Sequence, residues 1–588
     1  MAHYKYQFII VLIFLLCGGS INSFGQFLPR YSTEDEKKNI QNYRVVPSNN
    51  SIKVPPSSPV RTAAEWEEIQ ALVISWKGQY VILREIIKYA KEECEVFIVC
   101  PDSNQVKSSL TSAGITLTNL VFMQVPSNSI WIRDYGQWSV YTNDVDSLLL
   151  VDWIYNRNRP LDDTIPAVVA AYTGIPLYET STPPWDMVHT GGNFMTDGLG
   201  TGFSSKLILD ENGPGGFYNP TVKTEAGIDS VIEAFMGINR FIKLDNLPYD
   251  VIHHIDMHMK LLDEETILLG EYPNGVSDGP QIEANMQYIL SNHNSVFGTP
   301  YRFVRIQMPP HGSLYPSTGG NYRTFTNAII VNKTIIVPTY ELKYDSTALD
   351  VWREAMPGYN IVGINSNSII PSLGAIHCIV KQVATDDPLL IVHQRLRDTT
   401  AYAGPYTVDA KIQHRSAINT ANIYYRSDTT QEYQTAAMSF TDSATNTWSG
   451  QFSITPGDTI VYYYVEADAN SGKTQVRPMT APDGYWSFKN HAAPSGINQF
   501  NLRSLELENV FPNPSKGITC IPVYSPVRQN ISIDVIDLFG RKIVNVYNGE
   551  TRSGDSKYFI NTMDMNSGFY FMVLSNDQTI IQQKFFIR

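Results

Sequence analysis

The sequence predicts an α/β domain followed by two β-rich modules, all behind an export signal. Three observations predict it. From Arg61 to about Val383, short apolar runs alternate with amphipathic stretches, the pattern of strands interleaved with helices. Beyond about residue 389 the runs are β-type and closely spaced, and helical patterning nearly disappears. The chain has 588 residues, and at about 150 residues per domain that is more than one core holds. A composition 43% hydrophobic and 17% charged excludes a disordered or coiled-coil chain. The net charge of −13 argues against a nucleic-acid partner, which needs a basic face.

At the N terminus Lys5 precedes an apolar run from Phe8 to Cys17. The run falls well short of the roughly 20 residues that cross a bilayer, and it fits a secretory signal over residues 1–25, cleaved near Gly25–Gln26. Leu16 is bulky where lipoprotein processing at Cys17 would need a small residue. Residues 26–60 are polar and broken by prolines, so a flexible leader is expected. No later segment is apolar enough to be a transmembrane anchor.

Residues 61–388 form the α/β domain. VILREIIKYAKEE reads as a helix with Ile82, Ile86, Ile87 and Ala90 on one face, followed by the strand VFIVC. Two short segments match each other, Gly191-Gly192-Asn193-Phe194 and Gly319-Gly320-Asn321-Tyr322, each after a threonine. They are either common turn chemistry or the mark of a repeated unit. Residues 389–490 carry regularly spaced β runs such as DTIVYYYVEAD and read as an immunoglobulin-like β-sandwich. Residues 491–588 comprise a polar linker and a small all-β unit.

Four cysteines remain after the signal: Cys94, Cys100, Cys378 and Cys520. An exported chain with an even number invites disulfides. Cys94 and Cys100, however, flank a strand that holds them roughly 20 Å apart, and Cys378 and Cys520 fall in different domains. A disulfide framework is not expected.

Reactive side chains cluster beside turn residues at four places: Trp131, Arg133 and Asp134 in WIRDYG; His254 and Asp256 in HHIDMHM; Asn327 in RTFTNAIIVN; and Cys378 in GAIHC. Read singly, each has an ordinary alternative. Asp134 before Gly136 suits a turn, and a buried cysteine is often a small hydrophobe. If HHIDMHM is a strand, His254, Asp256 and His258 share a face and could hold a metal. A cysteine with a distant histidine also fits a peptidase.

The order of these motifs is the specific signal. AEWE at 64–67, WIRDYG, GGN, HID, the asparagine-bearing strand and then GAIHC resemble the guanidino-group modifying enzymes, among them agmatine, arginine and peptidylarginine deiminases. The resemblance covers roughly residues 61–385 and implies a pseudo-fivefold α/β propeller with no cofactor and no metal. It assigns Asp134 and Asp256 to guanidinium binding, Cys378 to nucleophilic attack and His254 to general acid/base work. Asn327 would be a further polar residue of the site. Chemistry agrees, since paired carboxylates grip a planar guanidinium by forked hydrogen bonds.

VDWIYNRNRP further resembles the secreted bacterial peptidylarginine deiminases. There two arginines spaced i, i+2 grip the carboxylate of a peptide ending in arginine; Arg157 and Arg159 match them, and Trp131 matches a tryptophan lining the same site. Asp186, His189 and Asp197 lie near the GGN motif without an assigned role. FPNPSKG, IDLFGRKI and the closing FFIR resemble the sorting domain of type IX secretion, which implies that secretion machinery as a partner and a secreted or cell-surface location. The expected activity is hydrolysis of C-terminal arginine in peptides or proteins to citrulline and ammonia. A small-guanidine (agmatine) deiminase is the nearest alternative, and an inactive surface binding protein is the alternative of another class.

Overall fold

The computed structural model describes residues 27–39, 48, 50–216, 221–276, 278–455, 457, 459–492, 504–563, 565–576 and 578–588. The expected signal peptide and most of the expected second linker lie outside the described residues. The chain divides into two compact units, Met1–His491 and Ala492–Arg588.

Within the first unit, residues 60–384 build five small sheets on one plan. An antiparallel strand pair is extended by a third strand parallel to the second, and a helix fills that parallel connection. In one sheet Trp138–Thr142 pairs with Leu148–Tyr155, then helix Ile165–Thr173 leads to Leu177–Thr180. The next has Met195–Thr196, Thr201–Ser205, helix Glu225–Met236 and Arg240–Leu244. Met259–Leu261, Thr266–Glu271, helix Gly279–Asn292 and Arg302–Gln307 follow. Then come Ile329–Val331, Thr334–Thr339, helix Leu342–Ala355 and Asn360–Asn365. The remaining sheet closes the chain on itself: Lys381–Ala384 pairs with Ile69–Ser75, which helix Tyr80–Ala90 links to Glu95–Val99.

The local reasons are visible in the residues. Helix Tyr80–Ala90 buries Ile82, Leu83, Ile86, Ile87 and Ala90, the face its periodicity predicts. Strand Leu148–Tyr155 is buried at every position because both of its faces are covered. Helix Glu225–Met236 starts where the Thr224 side chain accepts from the Gly227 N–H, and stops at Gly237, which is left-handed at φ +69°. Any side chain at Gly237 would also collide with the Val60 carbonyl.

This plan sets the site. The segment just before the first strand of each sheet carries, in turn, Asp134, the Gly191–Asn193 turn, His254 with Asp256, Asn327, and Cys378. Two expectations are corrected here. His254 and Asp256 do not alternate along a strand, because Ile255–Met257 is a single 3₁₀ turn. Nor do the two GGN segments mark the repeat. Gly191–Asn193 is a buried 3₁₀ turn directly before its strand, whereas Gly319 caps the turn Pro316–Thr318 well before Ile329. The counterpart of Asn193 is Asn327, each standing two residues ahead of its strand.

The leader is a third correction: its described part is not loose. Residues 34–38 form a short helix, closed by a capping box between Thr33 and Glu36. Arg30 is fully buried. The Ser48 N–H donates to the Glu179 carboxylate, and Ile52 bridges to Tyr178.

Residues 389–491 are mostly antiparallel β structure, with Thr399–Thr400 pairing in parallel to Trp486–His491, around a separate core that includes Val408, Ile423, Val461, Tyr463 and Trp486. Strand Gln434–Asp442 pairs on one side with Thr447–Phe452 and on the other with Ile418–Arg426. This region docks on the α/β region through Arg395, Arg477 and Arg397, which meet Asp263, Glu264 and Glu265. The second unit has a three-stranded and a four-stranded sheet, from Glu506–Leu507 to Ile580–Ile587. Cys94, Cys100 and Cys378 carry free thiols.

Candidate active site

Asp134 lies in the one-turn helix Ile132–Tyr135, and Asp256 in the 3₁₀ turn opposite. Between them sits the guanidinium of Arg30. Its Nε donates to Asp134 Oδ2 at 2.9 Å and its Nη2 to Asp134 Oδ1 at 2.8 Å, a forked pair. Nη1 and Nη2 each lie 3.4 Å from an Asp256 oxygen. Nη1 also stands 2.6 Å from Cys378 Sγ. All four side chains are essentially without solvent exposure. Burying these charges is tolerable only because each is matched by an opposite charge in hydrogen-bonding geometry.

Gly192 makes room for this seat. A Cβ there would come within 1.8 Å of Arg30 Nη2, 2.8 Å of His254 Nδ1 and 3.0 Å of Asp134 Oδ1. The guanidinium and the imidazole therefore share the space over one glycine. His254 Nε2 meets the Thr190 hydroxyl at 3.1 Å, and Nδ1 lies 3.5 Å from Asp134 Oδ1. Asn327 ties the thiol loop to the Asp256 turn. Its Oδ1 accepts from the Ala375 N–H at 3.2 Å and lies 3.3 Å from Cys378 Sγ, while its Nδ2 donates to the Asp256 carbonyl. Gly374 is needed as well, because a Cβ would meet the Trp131 ring at 2.5 Å and Sγ at 3.0 Å.

The electrostatics follow from burial and these neighbours. Burial pushes the Cys378 thiol well above its ordinary value; the Arg30 guanidinium pulls it back, and Asp256 and Asp134 oppose that pull. Burial, then the Arg30 charge, brings His254 down to about 3. Burial alone would raise Asp256, but Arg30 and then His377 hold it far below the usual carboxylate range. Glu65 likewise stays ionised against burial, held down by His377 and Lys260. His377 joins the two carboxylates, with Nδ1 2.9 Å from Asp256 Oδ2 and Nε2 2.6 Å from Glu65 Oε1. Lys260 and Arg133 complete the Glu65 ion pairs.

Residues 61–384 match the model of the Porphyromonas-type peptidyl-arginine deiminases. The chain belongs to that family. It is a deiminase, a hydrolase of guanidino groups. A Vibrio parahaemolyticus protein named "Putative agmatine deiminase" is 26% identical over 292 residues, covering 44% of this chain and 77% of its own. A Marinomonas protein of the same name is 24% identical, covering 55% and 94%. The solved agmatine deiminase of Enterococcus faecalis aligns over 57% of this chain and all of its own, at 18% identity and a TM-score of 0.49. Residues 509–588 match the secretion-system C-terminal sorting domain, so the protein is exported, to the cell surface or beyond it.

The expected site residues fall into three groups. Asp134, His254, Asp256, Asn327 and Cys378 converge on one guanidinium. Trp131, Arg157 and Arg159 surround the backbone that delivers it. Trp131 Nε1 donates to the Leu28 carbonyl at 2.8 Å, and Arg157 Nε to the Arg30 carbonyl at 3.1 Å. Arg159 Nη2 donates to the Pro29 carbonyl at 2.7 Å, and its Nε to Glu36 Oε1 at 2.6 Å. Asp186, His189 and Asp197 stand apart in structural positions. Asp186 pairs with Lys223, Asp197 accepts from the Leu199 and Thr201 N–H groups, and His189 packs against Trp153 and Phe194.

Sequence reasoning missed Glu65, Thr190, Gly192, Lys260 and His377 as members of the site. Glu65, Gly192 and His377 were inside motifs already conspicuous in the sequence. Thr190 is the threonine already noted before the GGN motif, there without a role, whereas Lys260, two residues after His258, had no such signal. Arg30 had no signal at all in its polar, proline-broken surroundings.

Proposed function

We propose that this chain is an exported peptidylarginine deiminase that hydrolyses the guanidine of arginine at peptide C termini to citrulline and ammonia. The observation that carries the reading is an arginine side chain already seated between Asp134 and Asp256, with Nη1 against Cys378 Sγ. On this reading residues 61–388 are a pseudo-fivefold α/β propeller, supported by five copies of one sheet plan, and residues 389–490 an immunoglobulin-like module.

The two aspartates orient the guanidinium and leave its central carbon open to the thiol. The positive charge of the bound guanidinium favours the thiolate, so the substrate itself helps to ionise a thiol that burial keeps protonated. The Cys378 sulfur bonds to the central carbon, and the C–N bond to the departing nitrogen breaks. The proton given up by the Cys378 thiol passes to the neutral His254, which lies beside Nη2 over Gly192 and delivers it to the departing nitrogen so that ammonia leaves. The sulfur-bound carbon is then a thiouronium. A water molecule, deprotonated by the same imidazole, adds to that carbon; the C–S bond breaks and the ureido product forms.

The peptide reading rests on what surrounds the arginine backbone. Hydrogen bonds reach the carbonyls of Leu28, Pro29 and Arg30 and the Arg30 N–H, which donates to the Ser372 carbonyl at 3.1 Å. Agmatine has no backbone to use them. Arg159 Nη1 is buried and has no hydrogen-bond partner, which leaves a donor for one oxygen of a terminal carboxylate beside Arg157. The test is the pair Arg157→Ala with Arg159→Ala. A peptide ending in arginine should lose binding while agmatine turnover, if present, holds; equal loss on both would refute the C-terminal specificity.

A further inference from the structure

The leader enters the arginine cleft as a peptide substrate would, and this is not accounted for by export or by the catalytic assignment. Phe27 packs against Trp131 with ring centroids 5.8 Å apart. The next three residues present their carbonyls to Trp131, Arg159 and Arg157 in order. Arg30 then fills the guanidinium seat completely. No solvent reaches Cys378 or Asp256 in this arrangement, and an external guanidine has no room beside it. The grooves flanking the site are lined by the leader on either side: Phe27 with Trp76 and Tyr80 at one end, Tyr31 and Ser32 with Arg157 and Ile252 at the other.

Arg30 is an internal residue, bonded to Pro29 and Tyr31, so it offers Arg157 and Arg159 no terminal carboxylate. The leader supplies a substitute. The carboxylate of Glu36 lies against Arg159, with Oε1 2.6 Å from Nε and Oε2 3.3 Å from Nη2. The capping box holds it there: Oε2 accepts from the Thr33 N–H at 2.7 Å, and the Glu36 N–H donates to the Thr33 hydroxyl. A carboxylate six positions on, folded back by one helical turn, thus takes the place of the carboxylate that a C-terminal arginine would bring.

We propose that Arg30 is an intramolecular substrate: the chain deiminates its own leader once, and the loss of charge frees the cleft for external arginine. This rests on the deiminase reading of the same site. The reaction balances as guanidinium plus water giving a ureido group plus ammonium. The thiol proton passes through His254 to the departing nitrogen as the Cys378 sulfur bonds to the Arg30 carbon and ammonia leaves; water entering the space that ammonia vacates then adds to that carbon, and the C–S bond breaks. The citrulline formed is neutral. It cannot hold the two carboxylates of Asp134 and Asp256 as a cation does, so the segment is released. The internal position is accepted only in cis, because only the folded leader brings Glu36 with it.

The experiment measures, over time, the mass of the proteolytic fragment containing residue 30 from the full chain, alongside turnover of a peptide ending in arginine. Chains carrying Cys378→Ala, Arg30→Gln and Glu36→Gln are run in parallel. The expected result is replacement of NH by O at residue 30 in the wild-type chain and none with Cys378→Ala. External turnover should begin after a lag that follows this conversion, and Arg30→Gln should remove the lag. Glu36→Gln should slow conversion of residue 30 while leaving the final external rate in place. An isotopically labelled Cys378→Ala chain mixed with active enzyme should keep its Arg30, as conversion in cis requires.

Arg30 left unconverted in a preparation that turns over the external peptide would overturn the proposal and leave the deiminase reading standing. Activity with Arg30→Gln but none in the wild-type chain would also overturn it, making the leader an inhibitor only. Conversion of Arg30 without turnover of any external guanidine would uphold the self-deimination but overturn the release said to follow it, and would refute the external-substrate reading.

Discussion

Two regions dock on the same α/β region, and they do so in opposite ways. The described leader, residues 27–39, commits a single cation, Arg30, fully buried against two carboxylates and a thiol. The β-rich region 389–491 spreads its attachment over Arg395, Arg397, Arg477, Lys411 and Lys473, each paired with a carboxylate that is partly or wholly buried. It adds packing, such as Arg477 over the Trp66 ring at 5.8 Å. A distributed interface loses little when one pair is cut. An attachment centred on one buried charge is weakened most when that charge is neutralised, because its partners are left buried and unpaired. The Glu36–Arg159 pair and the backbone hydrogen bonds of Leu28, Pro29 and Arg30 are then left to hold the segment. The second arrangement suits a segment that must leave, and the first a module that stays.

The largest effect should come from the thiol. Cys378→Ala is expected to lower turnover of an arginine peptide by at least about 10³-fold, in line with removal of other enzymatic nucleophiles, with the circular dichroism spectrum unchanged. Next is Asp256→Asn, which keeps shape but removes one carboxylate from the seat. Steady-state kinetics should show kcat/KM reduced by roughly 10² to 10³. Removing both arginines of the backbone grip, Arg157→Ala with Arg159→Ala, deletes charge-assisted hydrogen bonds of about 1.5–3 kcal/mol each. Affinity for a C-terminal arginine should fall by roughly 10²-fold or more.

Acidification acts on both docking partners. Burial holds His189 and His254 at about 3, and His258 and His393 at about 4. Each is depressed in the folded chain below its ordinary value of 6.5, so the unfolded chain binds more protons on the acidic side. The stability these residues contribute is complete above pH 6.5 and is lost as pH falls through it. Calorimetry should show the melting temperature of the first unit falling steadily from pH 6.5 to 4; a flat profile would contradict these assignments. The smallest effect is expected from Arg397→Ala. That side chain is 57% exposed, so denaturant titration should register less than about 1 kcal/mol, and Arg477→Ala, from a buried pair, should cost more.

Much of this was legible in the sequence, for physical reasons that differ by residue. Asp134, His254, Asp256, Asn327 and Cys378 were expected because their residue types, in that order along the chain, resemble the motifs of one family, and the fold brings them together around one guanidinium. The helix Tyr80–Ala90 was found because burial imposes a period. The site's geometry was not legible. His254 and Asp256 meet through a 3₁₀ turn rather than strand alternation, and the true repeat lies in strand pairing, which GGN does not report. Gly192 matters because of what lies above it in space, and His377 because it joins Asp256 to Glu65, more than 300 positions away. Arg30 was invisible for the plainest reason. A lone arginine in a polar leader acquires meaning only when the fold brings it to two aspartates more than 100 and 200 positions away.

The most direct test of the account is product analysis with the full chain carrying Arg30→Gln. Ammonia and product mass are measured on three substrates: a peptide ending in arginine, the same peptide with that arginine internal, and agmatine. Citrulline and one equivalent of ammonia are expected from the first, with little or none from the other two. Turnover of agmatine alone would contradict the peptide claim, and no ammonia from any of the three in a folded chain would contradict the deiminase site itself.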